Sequence, residues 1–441
     1  MNKNLKAQAI GFMELFYEAH GEVQKYMDAG ESATVSNLLA DCQESAISLG
    51  SMIEESEGEG FVTVHLLEDY CELLYKVSTE AAGDVKFRLD ACMKAIEQSI
   101  KNDIPVRREV VFMPYKADMW DSLESVWRRY DADADVDAYV VPIPYYDKNP
   151  DGSYRDVHYD GSRFPEYVKV TDYNNYDLKL RHPDEIYIHN PYDEYNLITT
   201  IAPEFYSKEL KKHTDKLIYI PYFVLGEPDP DNEAALEGME HFVVLPGVIN
   251  ADEVIVQSEA MRQAYINILT KKAGEGTRQS WEEKIKGYGS PKFDRIEQLK
   301  KSDVDIPPEW EKYIKKEDGT DKKVILYNTS VSALLEHGDV MLKKMRRVFE
   351  IFRENEADVA LLWRPHPLIE ATISSMRPRL WDDYQSVVAD YKEKDYGIYD
   401  DSADLDRAIA VADAYYGDPS SLVQLCQRAK IPVMIQAPEV E

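Results

Sequence analysis

Apolar residues recur at helical spacing through the first hundred positions. Ile10, Met13, Phe16 and Tyr17 fall on one face, as do Leu66, Leu67, Tyr70 and Leu74. The pattern predicts a helical bundle over residues 1–105, without a convincing strand. Beyond Pro105 the texture changes. EVVFMPY (109–115) is a β-branched apolar run, DMWDSLESVWRRY carries Trp120, Leu123, Val126 and Trp127 on one helical face, and DAYVVPIPYY follows as a second strand. A strand, helix, strand order implies a parallel sheet, because parallel neighbours need a crossover that a helix usually supplies. Further strands are expected at 185–189, 216–225 and 252–258, the last leading into the helix EAMRQAYINIL.

The stretch KKAGEGTRQSWEEKIKGYGSPKFD is polar, contains glycine and has no strand period, so it reads as a connection between lobes. Alternation then resumes. KKVILYN (322–328), DVALLWRPHP, AYYGD and PVMIQ are strand-like, separated by the segment DYGIYDD and by amphipathic stretches such as GDVMLKKMRRVFEIFREN. The predicted fold is α/β: two Rossmann-like domains facing a cleft, residues 106–275 and 276–441, preceded by the helical domain 1–105.

Composition narrows the function. The 441 residues include 82 Asp plus Glu against 51 Lys plus Arg, a net charge of −31. That field repels nucleic acid and anionic lipid, so no nucleic-acid partner is expected, although a local basic patch could still exist. Only KKHTDK (211–216) and KKMRR (343–347) are concentrated basic runs. The N-terminal stretch lacks the apolar core of a secretion signal and no run approaches a membrane span, so a cytoplasmic protein is expected. Cys42, Cys71, Cys92 and Cys426 are far apart and form no CxxC pair, as reduced core thiols would be. GxGxxG, GxxxxGK[ST] and HExxH are missing, and the acidic run DADADVD lacks EF-hand spacing. No cofactor and no metal are expected. The NPDGS stretch (149–153) reads as a hairpin turn, and the 30 tyrosines, many beside prolines, suit either core packing or an aromatic cleft.

In open α/β sheets, ligands bind beyond the carboxyl ends of strands, where helix N-termini also point. That rule selects His189 in IYIHNPYDEYN, Arg364 and His366 in LLWRPHP, and Asp418, Ser420 and Ser421 in YYGDPSSLVQL. In GDPSS, Pro419 fixes φ and two hydroxyls stand beside the amides opening the next helix, which suits a phosphate; a simple helix cap explains the same spacing. Asp418, itself an anion, fits a ribose hydroxyl or the orientation of a neighbour. Arg364 could neutralise a phosphate, and a protonated His366 could donate to a phosphate oxygen as a leaving group departs. A neutral His189 could deprotonate an acceptor hydroxyl. For both histidines a structural role is the alternative.

With these residues in place, the chain from about residue 109 onward resembles the CDP-glycerol glycerophosphotransferase family, teichoic-acid-polymerase-like enzymes of glycosyltransferase-B architecture. GYGSPKFD (287–294) is similar to the family's Gly-x-Pro-x-x-Asp segment, RPHP (364–367) to its C-lobe His-Pro turn, and GDPSSLV (417–423) to its Asp-x-Ser-Ser turn. The resemblance implies transfer of glycerol phosphate from CDP-glycerol, or another nucleotide-activated donor, to a polyol-phosphate or glycan hydroxyl. CMP is released, and His366, Ser420 and Ser421 hold the donor phosphates. It also implies work in cell-surface glycopolymer synthesis, compatible with peripheral contact at the inner membrane face; the helical domain 1–105 suits docking or a homo-oligomer, with a solvated acidic surface as the alternative. The family's N-lobe Trp-His-Gly corresponds here to YIPYFVLG (219–226), without His, which makes His189 the substitute base. Two alternatives stand beside this reading: a nucleotide-sugar glycosyltransferase of the same fold, and a catalytically inactive binding relative.

Overall fold

The computed structural model describes every residue except 80–82, 150, 403 and 438–441, together with all but the side chain of 371. The chain divides into two compact units. The first comprises 1–117, 126–219 and 246–252; the second comprises 118–125, 220–245 and 253–441.

The first unit opens with the expected bundle: α1 (Lys3–Asp28), α2 (Ser32–Glu57), α3 (Val62–Thr79) and α4 (Val85–Asn102). Asn2 caps α1 and Asp84 caps α4, each accepting a backbone N–H three residues on. The bundle buries Leu5, Met13, Phe16, Leu39, Ile53, Leu67, Leu74 and Ile96 in one core. One polar chain crosses it. His20 is fully buried, its Nδ1 lying 2.8 Å from Asp90 and its Nε2 2.6 Å from the Tyr70 hydroxyl. Both ring nitrogens are therefore satisfied, as a buried imidazole requires. The N-terminus of α1 sits against the 178–182 turn, where Asn2, Asn4 and Gln8 donate to the carbonyls of Arg181, His182 and Leu180.

Strands β1 (Arg108–Met113), β2 (Val136–Val140), β3 (Tyr145–Lys148), β4 (Tyr154–His158), β5 (Glu185–Ile188), β6 (Thr199–Ile201) and β7 (Lys216–Tyr219) complete this unit. β2, β1, β5 and β7 lie in that order, all parallel. The DAYVVPIPYY run is not one strand. It breaks at Pro142 and Pro144, and its second half, β3, joins an antiparallel trio ordered β4-β3-β6, with the NPDGS segment between β3 and β4 as expected. Proline cannot donate to a ladder, which also explains why β7 stops at Tyr219, before Pro221, and does not run to 225. The segment DMWDSLESVWRRY is likewise split, into a 3₁₀ turn at Ala117–Ser122 and a helix at Glu124–Asp131.

In the second unit, β8 (Glu253–Ile255) pairs in parallel with β9 (Ile285–Lys286). β9 and the helix Arg278–Lys284 lie in the stretch read from sequence as a connection between lobes without a strand period, and the helix Pro291–Gln298 begins in it. That misreading has a physical cause: two residues are too short to show a period. β10 (Lys323–Thr329), β11 (Val359–Pro365), β12 (Ile398–Tyr399), β13 (Ala414–Gly417) and β14 (Val433–Ile435) form a five-stranded parallel sheet ordered β12-β11-β10-β13-β14. The chain winds outward from β10 to β12, then returns to the other side of β10, the order of a doubly wound fold.

Both faces of this sheet are covered. Val324 and Leu326 of β10, with Ala360 and Leu362 of β11, enter one core, whereas Tyr327, Leu361 and Trp363 enter the other. Strands buried on both sides read as continuous apolar runs, which is why KKVILYN and DVALLW stood out. Trp363 is fully buried among Phe349, Tyr391 and Tyr399, and its indole N–H donates to Thr329 Oγ1 at 3.1 Å. Trp363→Ala is expected to lower the unfolding free energy by about 3–5 kcal/mol, and Trp363→Phe by markedly less, in urea titrations followed by circular dichroism.

Candidate functional site

The C-terminal end of β10 is the organising point of the second unit. Register places Asn328 opposite Arg364 on one side and Gly417 on the other. The Asn328 Nδ2 donates to the Arg364 carbonyl at 2.9 Å, and its Oδ1 accepts from Ser420 Oγ at 3.1 Å. The backbone repeats the tie: His366 N–H donates to Thr329 O, and Asp418 N–H to Asn328 O. The RPHP and GDPSS turns thus meet at one strand end. Arg364, His366, Asp418, Ser420 and Ser421 are brought together; His189 belongs to the other unit.

These residues divide by what their polar atoms already do. Arg364 is buried, ion-paired to Asp400, and donates to Ser402 O at 2.6 Å. Its charge is neutralised inside the protein, so it holds Asp400 and Ser402 in place and is not free to meet a donor phosphate as the sequence suggested. Asp418 is similarly engaged. Its Oδ2 accepts the Ser330 amide at 2.6 Å and its Oδ1 accepts Gln436 Nε2 at 2.6 Å. Gln436 in turn accepts from the buried Tyr327 hydroxyl. Asp418 orients its neighbours, and the ribose contact finds no support in this geometry.

His366, Ser420 and Ser421 differ. Burial lowers the His366 pKa, which favours a neutral ring at pH 7. Its Nδ1 accepts the Leu368 amide at 3.1 Å. That bond assigns the remaining proton to Nε2, which has no protein partner among the described residues. His366 therefore offers a neutral donor, where the sequence reading had a protonated acid. It lines a groove of about 580 Å³ with Trp381, Tyr384, Lys392 and Tyr399. Ser420 caps the helix Ser421–Arg428, accepting from Leu422 N at 3.3 Å, so the cap is real and the hydroxyl is shared with Asn328. Ser421 is exposed at the first helical position, its hydroxyl without a protein partner among the described residues. Among the described residues, no group of three or more acidic, His or Cys side chains could hold a metal ion.

His189 corrects the expected base. It is fully buried at the end of β5, its ring edge-on to Tyr115, and its Nε2 accepts the Tyr115 amide at 3.1 Å. In that tautomer the proton sits on Nδ1 and no lone pair is left for an acceptor hydroxyl. The same loop carries a titratable group that sequence reading missed. Asp193 has φ +47°, a strained value for a residue with a side chain, and is 1% exposed. Its carboxylate accepts from Ser207 N at 3.0 Å and Ser207 Oγ at 2.7 Å, while Asn250 donates to the same Ser207 Oγ. Burial raises its pKa to about 6.

Asn328 and Ser330 were also missed, although a signal existed: NTS directly follows the apolar run VILY and precedes a helix, the position where strand-end polar groups gather. Several of the tyrosines are core residues, with Tyr70, Tyr219, Tyr265, Tyr327, Tyr391 and Tyr415 fully buried.

No family profile matches the chain, and no curated protein sequence does. Among solved structures, the S. aureus MnaA–UDP complex is similar at 13% identity, over 74% of this chain and 78% of that one, with TM-score 0.44. The Methanocaldococcus jannaschii UDP-GlcNAc 2-epimerase with UDP-GlcNAc and UDP aligns at 11% identity over 74% and 83%, TM-score 0.42. The H548A wall teichoic acid polymerase TagF aligns at 13% identity over 84% and 78%, TM-score 0.38. At this distance the α/β assignment stands on the chain's own strand order.

Two outcomes test this geometry. A Cβ on Gly417 would lie 2.3 Å from Asn328 O, a backbone atom that cannot swing away. Gly417→Ala should cost about 1–3 kcal/mol in thermal or urea unfolding and loosen the GDPSS turn. For Asp193, the folded pKa near 6 lies above the ordinary 3.8, so its stabilisation is complete below about pH 4 and is lost as pH rises through 6. Asp193→Asn should remove a slope of about 3 kcal/mol between those limits, measured as urea stability against pH.

Proposed function

We propose that the chain is a nucleotide-donor transferase of glycosyltransferase-B type, with 1–105 a helical domain, 106–275 an acceptor domain and 276–441 a donor domain. CDP-glycerol is the leading donor. An acceptor hydroxyl, of a polyol phosphate or glycan, attacks the phosphorus that carries glycerol. The new P–O bond forms as the bond to CMP breaks, and the hydroxyl proton passes to solvent or to a base other than His189.

One observation carries the reading. The Asn328 side chain joins the RPHP and GDPSS turns, so that the His366 Nε2–H, the Ser421 hydroxyl and the first amide of the helix Ser421–Arg428 lie at the carboxyl end of one sheet. Neutral donors and a helix N-terminus suit an anion, and both Asp418 oxygens are bonded to neighbours, while Glu370 and Asp401 are the carboxylates that also line the His366 groove. Arg364 supports the floor of this region through Asp400. A second reading, a binding relative without transfer activity, is favoured by the buried His189. No described helix is long and apolar enough to cross a membrane, so any membrane contact would be peripheral.

Calorimetry with CDP-glycerol, UDP-GlcNAc and GDP-sugars, alongside a transfer assay with labelled CDP-glycerol, tests both readings. His366→Ala is expected to weaken donor binding about 10- to 100-fold, the worth of a hydrogen bond to a charged group. Unchanged affinity in that variant would remove His366 from the site. Tight binding with no transfer to any acceptor would favour the second reading.

A further inference from the structure

We infer that the outer face of the helix Asp339–Glu354, with the start of the helix Pro378–Lys394, is a docking surface for an anionic phospholipid bilayer. The observation is a contrast between the two basic runs of an otherwise acidic chain. In KKHTDK, Lys211 is ion-paired to Asp252 at 2.7 Å and Lys212 to Glu209 at 2.6 Å. In KKMRR, Lys343, Lys344, Arg346 and Arg347 have no ion-pair partner among the described residues, and neither do Arg377 and Arg379. Five of these six are exposed and Lys344 is half-buried.

Packing places them on one layer. The helix Asp339–Glu354 turns Met341, Leu342, Met345, Val348 and Phe349 into the same core that receives Ile373, Leu380 and Tyr384 from the helices at 369–394. Its opposite side faces water. Arg377 and Arg379 reach the start of that helix across a shallow groove of about 770 Å³, which Gly338, Asp339 and Val340 also line. Glu336 and Asp339 are the acidic groups in this groove.

The apolar residues decide the kind of partner. Val340, Lys344, Arg347 and Ile351 stand at helical intervals on one stripe, and the two aliphatic ends are 44% and 42% exposed. Met376, 64% exposed, adjoins Arg377. A dissolved polyanion would use the cations alone, whereas a bilayer surface takes both, the cations at phosphate level and the aliphatic groups among the acyl boundary. The net charge of −31 does not forbid this. Charges farther than a Debye length of about 8 Å are screened, so the local face governs approach. The proposal is independent of the donor site, because the groove these residues line shares no residue with the one that His366 lines.

Cosedimentation of the full chain with phosphatidylcholine vesicles, with and without phosphatidylglycerol, tests it. The wild type should bind only the anionic vesicles, and raising the salt from about 0.1 to about 0.5 M should release it. Lys343→Gln/Lys344→Gln/Arg346→Gln/Arg347→Gln should lower the partition coefficient about tenfold or more, and Arg377→Gln/Arg379→Gln about three- to fivefold. Lys211→Gln/Lys212→Gln should leave it unchanged, as should each variant's donor calorimetry. Wild-type partitioning in the neutralised variants, equal binding to neutral vesicles, no binding at all, or binding to soluble polyphosphate but not to vesicles would each overturn the proposal.

Discussion

The side-chain amide of Asn328 is the contact on which the candidate site depends. It lies on the central strand of a five-stranded parallel sheet, 6% exposed, where an unpaired amide would cost about 1–3 kcal/mol. The amide is satisfied by the Arg364 carbonyl on one side and by the Ser420 hydroxyl, with a longer contact from the Tyr415 hydroxyl, on the other. Two turns separated by some fifty residues are thereby fixed relative to each other. Around this contact, each further buried polar group is met in turn: Asp418 by Ser330 and Gln436, Gln436 by Tyr327, and the Asp418 carbonyl by the Tyr415 hydroxyl. The network leaves few polar atoms unspent, and those few, on His366 and Ser421, define what the surface can bind.

Charge in this protein follows the same logic at a larger scale. A net charge of −31 suggests a uniformly repulsive body, yet much of the structure consists of local neutralisation. Arg364 and Asp400 form a buried pair, Arg181 makes two bonds to the fully buried Glu109, and His20 sits between Asp90 and Tyr70 within the bundle. Such pairs contribute less to net stability than their number suggests, because desolvation offsets most of the Coulombic gain. Their larger effect is on geometry, since breaking either partner leaves a buried charge. The cations that matter to other molecules are the ones left over.

The histidines show how burial changes a chemical role. His189 and His366 both stand after strands, where a ligand would be expected. A backbone amide claims one nitrogen of each ring: Tyr115 N–H on His189 Nε2, and Leu368 N–H on His366 Nδ1. The difference is access. His189 is sealed at 0% exposure, while His366 lines an open groove, so the same residue type is scaffold in one unit and candidate ligand donor in the other.

The amino-acid sequence alone determined the architecture. Helical periodicity marked the bundle through the faces of α1 and α3, and apolar runs bounded by prolines and polar turns marked β1, β5, β10 and β11, because these are local patterns that each element must satisfy by itself. It also located the RPHP and GDPSS turns, since strand ends with proline and serine have a composition of their own. Strands of two or three residues, such as β9 and β12, escaped notice for the opposite reason: they hold no period, and neighbouring strands define them. Only the tertiary structure decided which polar side chains are spent. Arg364 reads as a cation in any sequence, and it ceased to be an available one when Asp400, thirty-six residues away, folded against it. Asn328 read as the end of a strand and became the link between two turns. Availability is a property of partners distant in the chain, and no local pattern carries it.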